Sequence, residues 1–304
     1  MNKGTLYAIG AYLLWGFFPI YWKALHGLPA LETLANRIVW SLVFVVILLA
    51  VHRHWRWLPA ALRNRRILLT FLLSGCILAL NWGTYIWAVN ADRVVETSLG
   101  YFINPLVSVL LGVVFLHERL RQGQWTAVIA ATLGVIYLTF AYGQPPWVAL
   151  TLAFSFGIYG FIRKTAVLDS LEGLTLEMGW LFLPALFYLL FLQRQGEGQF
   201  GSGDWQTTLL LVGSGVVTAV PLLWFSTAAR IIPLTQIGIL QYIAPTCQFL
   251  IGVFLYHEPF SRSLLFGFSL IWLGLIIYTA ENVIYNRRIR LARAAVALSV
   301  SSKQ

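Results

Sequence analysis

The sequence predicts an all-α polytopic membrane protein, with ten transmembrane helices arranged as two inverted five-helix repeats. Three observations predict it. Of the 304 residues, 59% are hydrophobic and only 11% charged, whereas a soluble domain carries about 25% charged residues. Charge-poor runs of roughly 16 to 26 residues recur from end to end, long enough to span a bilayer. An internal repeat runs at a fixed offset of 140: Pro105 matches Pro245, Gly112 matches Gly252, His117 matches His257 and Glu118 matches Glu258. Several pairs at one offset mark a duplicated unit. A soluble protein with buried helices is excluded, because too few polar residues remain to cover its surface.

The spans predicted in the first half are 4–22, 34–51, 67–90, 97–116 and 124–142. Those in the second half are 146–162, 176–192, 207–228, 235–256 and 264–281. The first is too long for a cleaved signal and no small-residue cleavage pattern closes it, so it reads as a retained span. The second and seventh are the shortest and occupy equivalent places. The fourth and ninth carry the Pro–Gly–His-Glu pattern. Tyr142-Gly143-Gln144-Pro145-Pro146 is a turn signal between the fifth and sixth spans. The expected organisation is a first five-helix repeat over 1–142, a second, inverted one over 143–284, and a basic cytoplasmic tail over 285–304. An odd number of spans per half makes the two copies run in opposite senses, an arrangement used by alternating-access carriers.

Basic residues set the orientation. With the N-terminus cytoplasmic, 16 of the 21 Lys and Arg residues fall inside, including the Arg53–Arg66 cluster and the Arg287–Arg293 tail. Lys23, Arg37, Arg93, Arg194 and Arg262 fall outside. Both termini are therefore expected in the cytoplasm. The net charge of +10 is then a topology signal, so no nucleic-acid partner is expected. The expected surroundings are a lipid bilayer, with the basic tail either touching anionic lipid or only fixing topology. Small-residue patches serve internal packing or a homodimer equally well.

Cys76 and Cys247 lie inside apolar runs at non-equivalent positions, so neither a disulfide nor a metal site is expected. No cofactor and no catalytic residues are expected either. Arg119-Leu120 and Pro259-Phe260 follow the two His-Glu pairs, which excludes a zinc-peptidase helix, and no Walker, dinucleotide or nucleophile-elbow motif occurs.

Pro105 and Pro245 lack the amide hydrogen that would bond the carbonyl four residues back. They are hinge candidates or cavity formers, or else packing kinks. His117-Glu118 and His257-Glu258 close their runs on opposite faces and are gate or helix-end candidates. Polar and aromatic residues deep in the spans are candidates to line a substrate cavity, with helix–helix hydrogen bonding as the alternative. They are Trp15 in the first span, Asn81 and Tyr85 in the third, Tyr101 and Asn104 in the fourth, and Gln236, Gln241 and Tyr242 in the ninth. Trp82 is expected to turn away from the face shared by Asn81 and Tyr85. The third, fourth, eighth and ninth spans are the expected cavity walls. Arg37 and Glu177 read as charges near the starts of the two short spans, and Arg163 closes the sixth. Asp92, Arg93 and Glu96 belong to a connection. An aromatic content of 15% suits a small organic solute better than a bare ion.

These motifs carry a resemblance. The Pro105…Gly112…His117-Glu118 pattern and its copy resemble EamA-type transporters of the drug/metabolite transporter superfamily. Gly10-Ala11-Tyr12-Leu13-Leu14-Trp15-Gly16-Phe17-Phe18-Pro19, Asn81-Trp82-Gly83-Thr84-Tyr85 and Gly100-Tyr101-Phe102-Ile103-Asn104-Pro105-Leu106 are similar to the RarD subfamily. The resemblance covers about residues 4 to 281. It implies a multi-pass protein of the bacterial inner membrane, a cavity open to one side at a time, and secondary transport of small organic solutes or drugs, often outward. Proton coupling is open. Gln241-Tyr242 stands where Tyr101-Phe102 stands in the first copy, which would make an asymmetric wall for an asymmetric solute. A passive channel or facilitator, or a non-transporting membrane partner, are the alternative readings.

Overall fold

Helix starts in this chain follow from local chemistry, and they recur at the repeat offset. The structure, a computed structural model, describes residues 2–25, 27–91, 93–143, 146–201, 204–257 and 262–301. Its helices are α1 Lys3–Ala24, α2 Ala30–Val51, α3 Leu58–Arg63, α4 Arg65–Asn90, α5 Val94–Phe115 and α6 Gln122–Tyr142. They continue as α7 Trp147–Thr165, α8 Ser170–Gln195, α9 Trp205–Ile231, α10 Leu234–Gln241, α11 Ile243–Leu250, a π-helical turn Ile251–Leu255, and α12 Arg262–Ser301. Four pairs of starts lie 140 residues apart: Ala30 and Ser170, Arg65 and Trp205, Val94 and Leu234, Gln122 and Arg262. Asn2 accepts from the Gly4 N–H at 3.2 Å, and Asp204 accepts from Thr207 N–H at 2.6 Å. Asp169 and Glu172 form a capping box at the start of α8. His117 and His257 both sit at φ 53°. A left-handed residue at each position turns the chain out of its helix.

Every regular element among the described residues is helical. Eight helical segments are long and apolar enough to cross a membrane, with Leu234–Leu255 counted as one. The chain is thus a polytopic all-α membrane protein. α1 and α7 fall outside that group, since their glycines, Tyr, Trp and terminal Lys or Arg lower the mean hydropathy.

Two expectations need correction. The second and seventh spans are not short: α2 has 22 residues and α8 has 26. Glu32, Arg37, Glu172 and Glu177 lie inside these helices, where burial and partners hold charges that hydropathy assigns to a span end. The basic tail begins as a continuation of α12, which is helical as far as Ser301, and its Arg, Ala and Leu residues are strong helix formers. The two proline spans also differ. α5 runs unbroken through Pro105, whereas its counterpart breaks at Tyr242, three residues before Pro245, and passes into a π turn. Glu258, Asp92, Gln144 and Pro145 lie outside the described residues.

By contact the chain forms two compact units, one of residues 1–118 and 145–259, the other of residues 119–144 and 260–304. In the second unit α6 packs on α12 through glycines: a Cβ on Gly134 would lie 2.8 Å from the Gly267 carbonyl, and one on Gly274 2.7 Å from the Ala127 carbonyl. The Arg121 guanidinium grips both oxygens of Glu281 at 2.5 Å each and Asn282 Oδ1 at 2.6 Å. Those hydrogen bonds hold Arg121 above its usual pKa.

In the first unit α1, α4, α7 and α9 share a core that includes Ala8, Tyr12, Leu78, Tyr159 and Phe225. Gly215 brings α9 against α2, because any Cβ there would strike the Trp40 backbone. Ser41 Oγ donates to the Gly215 carbonyl at 3.1 Å across the same joint. Gly215→Ala is therefore expected to cost about 1–3 kcal/mol through overpacking, read as a lower unfolding temperature in detergent. Gly83→Ala, where a Cβ meets nothing within 4 Å, should leave that temperature unchanged or raise it.

Candidate solute-binding cavity

The first unit encloses a cavity of about 250 Å³. Its walls follow from helix periodicity. On α1, Tyr12, Trp15, Pro19 and Trp22 recur at three- and four-residue spacing and reach the space from one face, with Phe18 beside Pro19. α4 adds Asn81, Trp82 and Tyr85, and α5 adds Gly100, Tyr101 and Asn104. α7 gives Leu152 and Phe156, α9 gives Thr218 and Leu222, and the broken α10–α11 segment gives Gln241, Pro245 and Gln248. α2 contributes Arg37, the only charged side chain among the described residues of the lining.

The polar atoms of the wall fall into two groups. Some hold helices together. Asn81 Nδ2 donates to the Leu152 carbonyl at 3.0 Å and to Ser155 Oγ at 2.8 Å, and Gln248 Nε2 donates to the Trp15 carbonyl at 3.0 Å. Others are buried without a hydrogen-bond partner: Tyr12 Oη, Asn104 Oδ1 and Gln241 Oε1. Each such atom forfeits roughly 1–3 kcal/mol unless something in the cavity bonds it. The Arg37 guanidinium lies over Trp22 at 4.5 Å and over Trp82 at 4.9 Å, with Nε donating to Thr218 Oγ1 at 3.0 Å.

Beneath the cavity lies an aromatic layer. Phe156 packs on Trp15 at 5.6 Å and on Phe225 at 5.2 Å, and Tyr159 stacks on Phe225 at 6.0 Å. One turn further along α7, Arg163 Nη1 meets Glu177 Oε1 at 3.4 Å, with both side chains fully buried. Ser74 Oγ donates to Glu177 Oε1 at 2.6 Å, and Tyr159 Oη donates to Oε2 at 3.3 Å. Arg163 Nε donates to Ser226 Oγ at 3.0 Å and Nη2 to the Ser170 carbonyl at 2.9 Å. Phe71 and Gly173 flank the guanidinium, and a Cβ on Gly173 would overlap it. At this same end Glu118 accepts the Leu234 and Thr235 amides of the α10 N-terminus at 2.7 and 2.8 Å, a favourable place for an anion. Lys164 Nζ lies 3.8 Å from Glu118 and donates to the Ile232 carbonyl at 2.7 Å.

Of the residues singled out by sequence, Trp15, Asn81, Tyr85, Tyr101, Asn104, Gln241 and Pro245 are brought to the cavity wall. Gln236 is not: it lies five residues before Gln241, on another side of α10, and its Nε2 donates to Thr5 Oγ1 at 3.1 Å. Tyr242 is not either, because Oη donates to the carbonyl of Phe102, its own repeat mate, at 3.2 Å. Pro105 faces α10, where a Cβ on Gly238 would lie 2.5 Å from its carbonyl oxygen. Trp82, expected to turn away, belongs to the wall, because its indole reaches Arg37. α1, α2 and α7 join the expected walls. Arg37 was missed as a site residue. Its signal was present: position 37 is the repeat mate of Glu177, and both are charges inside apolar helices.

The sequence model of the EamA-like transporter family matches residues 2–140 and again 146–280. A protein from Streptomyces exfoliatus named RarD is 46% identical over 299 residues, covering 98% of this chain and 95% of that protein. The Bacillus subtilis uncharacterized transporter YojE is 50% identical over 291 residues, covering 94% and 96%. The Escherichia coli RarD protein is 38% identical over 287 residues, covering 94% and 97%. One crystal structure, 19% identical, superposes with a TM-score of 0.68 over 92% of this chain and 98% of its own, a likeness of fold alone.

Glu177→Leu leaves the Arg163 cation buried without its carboxylate, and is expected to destabilise the protein by about 3–5 kcal/mol. The double variant Arg163→Met/Glu177→Leu should recover most of that loss, because both charges go together. Thermal unfolding in detergent, read for both variants, checks the pair.

Proposed function

We propose, from the premise that this chain belongs to the EamA-like transporter family and within it to the RarD subfamily, that it is a secondary carrier of small organic solutes working by alternating access. The chain carries ten transmembrane helices as two inverted five-helix repeats, over 1–142 and 143–284, in a bacterial inner membrane with both termini cytoplasmic. Support for the doubling comes from the family's two successive matches and from the four pairs of helix starts at offset 140. No cofactor and no catalytic step enter this reading.

The observation that carries the proposal is the difference between the two ends of the first unit. One end holds a cavity with apolar walls, a few convergent polar groups and a volume near the lower end of small-molecule sites. The other end holds the Arg163–Glu177 network and the Glu118 contact with α10. With the termini inside, the cavity lies towards the external face and the ion-paired end towards the cytoplasm. Transport then requires the paired end to separate while the cavity end closes, the exchange that inverted repeats permit. His117 and His257 act as helix terminators in this reading, and Glu118 acts as a latch on α10.

Reconstitution into liposomes and a solute screen, with and without an imposed proton gradient, tests the carrier and its coupling. Saturable uptake and counterflow of a labelled solute are expected. Flux that rises linearly without counterflow indicates a channel, and no flux for any solute indicates a non-transporting partner; either outcome overturns the proposal. For a solute so identified, Gln241→Leu is expected to raise the half-saturation concentration about 2- to 12-fold, the value of one hydrogen bond. The same variant should not lower the unfolding temperature, since it removes an unpartnered buried oxygen.

A further inference from the structure

The repeat relation assigns Arg37 more than a wall position. Arg163 and Glu177 form a buried ion pair at 3.4 Å. Their repeat mates are Lys23 and Arg37. The first half thus carries a cation where the second half carries the anion. Lys23 Nζ lies over the Tyr256 ring at 3.4 Å, and Arg37 lies between Trp22 and Trp82. Among the described residues no carboxylate comes within ion-pairing distance of Arg37. Its protein hydrogen bond uses Nε, towards Thr218. The terminal guanidinium nitrogens keep the paired N–H geometry that receives a carboxylate in two-point fashion.

The rest of the cavity completes a recognition pattern. Asn104 Oδ1 and Gln241 Oε1 are buried acceptors with no partner. A ligand donor would satisfy them. Among the described residues no acidic side chain lines the cavity, so none of them supplies a countercharge for an ammonium group, and a neutral N–H fits better. The aromatic walls from Trp15, Phe156 and Trp82 suit a flat apolar body.

We propose that Arg37 is a carboxylate subsite, and that the cavity takes a small organic monocarboxylate with an apolar or aromatic body and a neutral N–H donor. The carboxylate supplies the anion that Glu177 supplies in the other half. This rests on the reading of the cavity as a solute site and names the substrate class for it.

The probe is N-benzoylglycine, which holds a carboxylate, an amide N–H and a phenyl ring, compared with neutral N-benzoylglycinamide. Binding to the purified full chain in detergent is followed by calorimetry and by tryptophan fluorescence, since Trp22 and Trp82 flank Arg37. The acid is expected to bind at least tenfold more tightly than the amide. Arg37→Gln should abolish that preference, weakening acid binding by at least tenfold more than amide binding, and Arg37→Lys should keep part of it. A residue with only a structural role would not move the acid-to-amide ratio. Equal binding of acid and amide by the wild-type protein overturns the assignment, as does a preference that survives Arg37→Gln. The wild-type comparison decides the matter even where Arg37→Gln fails to fold. Binding of neither probe also overturns the carboxylate assignment, while the broad counterflow screen separately decides whether the protein is a carrier.

Discussion

A guanidinium and a carboxylate without solvent exposure hold the first unit together at one end. Arg163 and Glu177 are expensive to strip of water, and their mutual attraction offsets that cost only when the remaining hydrogen-bonding capacity is met. Ser74 on α4, Tyr159 on α7, Ser170 on α8 and Ser226 on α9 meet it. The requirement therefore fixes four helices at one level. Gly173 must be bare to let the guanidinium through. Above that level the Asn81 amide still ties α4 to α7 through the Leu152 carbonyl and Ser155 Oγ, and the aromatic layer of Phe156, Tyr159 and Phe225 separates the knot from the cavity.

The cavity inverts these rules. At the knot, polar groups are matched within the protein. In the cavity, Tyr12, Asn104 and Gln241 hold unmatched oxygens, and Arg37 holds a charge set among the Trp22 and Trp82 rings, the Thr218 hydroxyl and the tyrosines Tyr21, Tyr85 and Tyr101. Low dielectric makes an unmet polar group costly and a met one strong. One helical scaffold thus contains a saturated end and an unsaturated end, only about 10 Å apart along α7 by helical rise from Phe156 to Arg163.

The helical class was legible because the bilayer imposes apolar length on each segment, and length and composition are local properties. The repeat was legible because Pro, Gly and His-Glu are rare enough at one offset to stand out. Cavity residues such as Asn81, Asn104 and Gln241 were legible too, as amides in apolar helices. Gln236 and Tyr242 were misplaced for a geometric reason: α10 is only eight residues long and ends in a break, so which neighbour each side meets depends on a joint that periodicity does not report. Arg37 and Glu177 were misread because charge partnership is a property of pairs. Glu177 finds Arg163 on another helix, and hydropathy sees only one charge in an apolar run. The same blindness shortened α2 and α8.

α5 passes its proline as one continuous rod, whereas the matching segment is divided into α10, α11 and a π turn. A rod resists bending along its length, but a jointed segment concentrates compliance at its breaks. The joint at Tyr242 lies beside Gln241, at the wall of the cavity, and is pinned to α5 through the Phe102 carbonyl. The two copies therefore share an ancestral template without sharing stiffness. If the two copies exchange conformations as proposed, a stiff lever would work against a jointed one, and the two strokes of that exchange would be mechanically unequal.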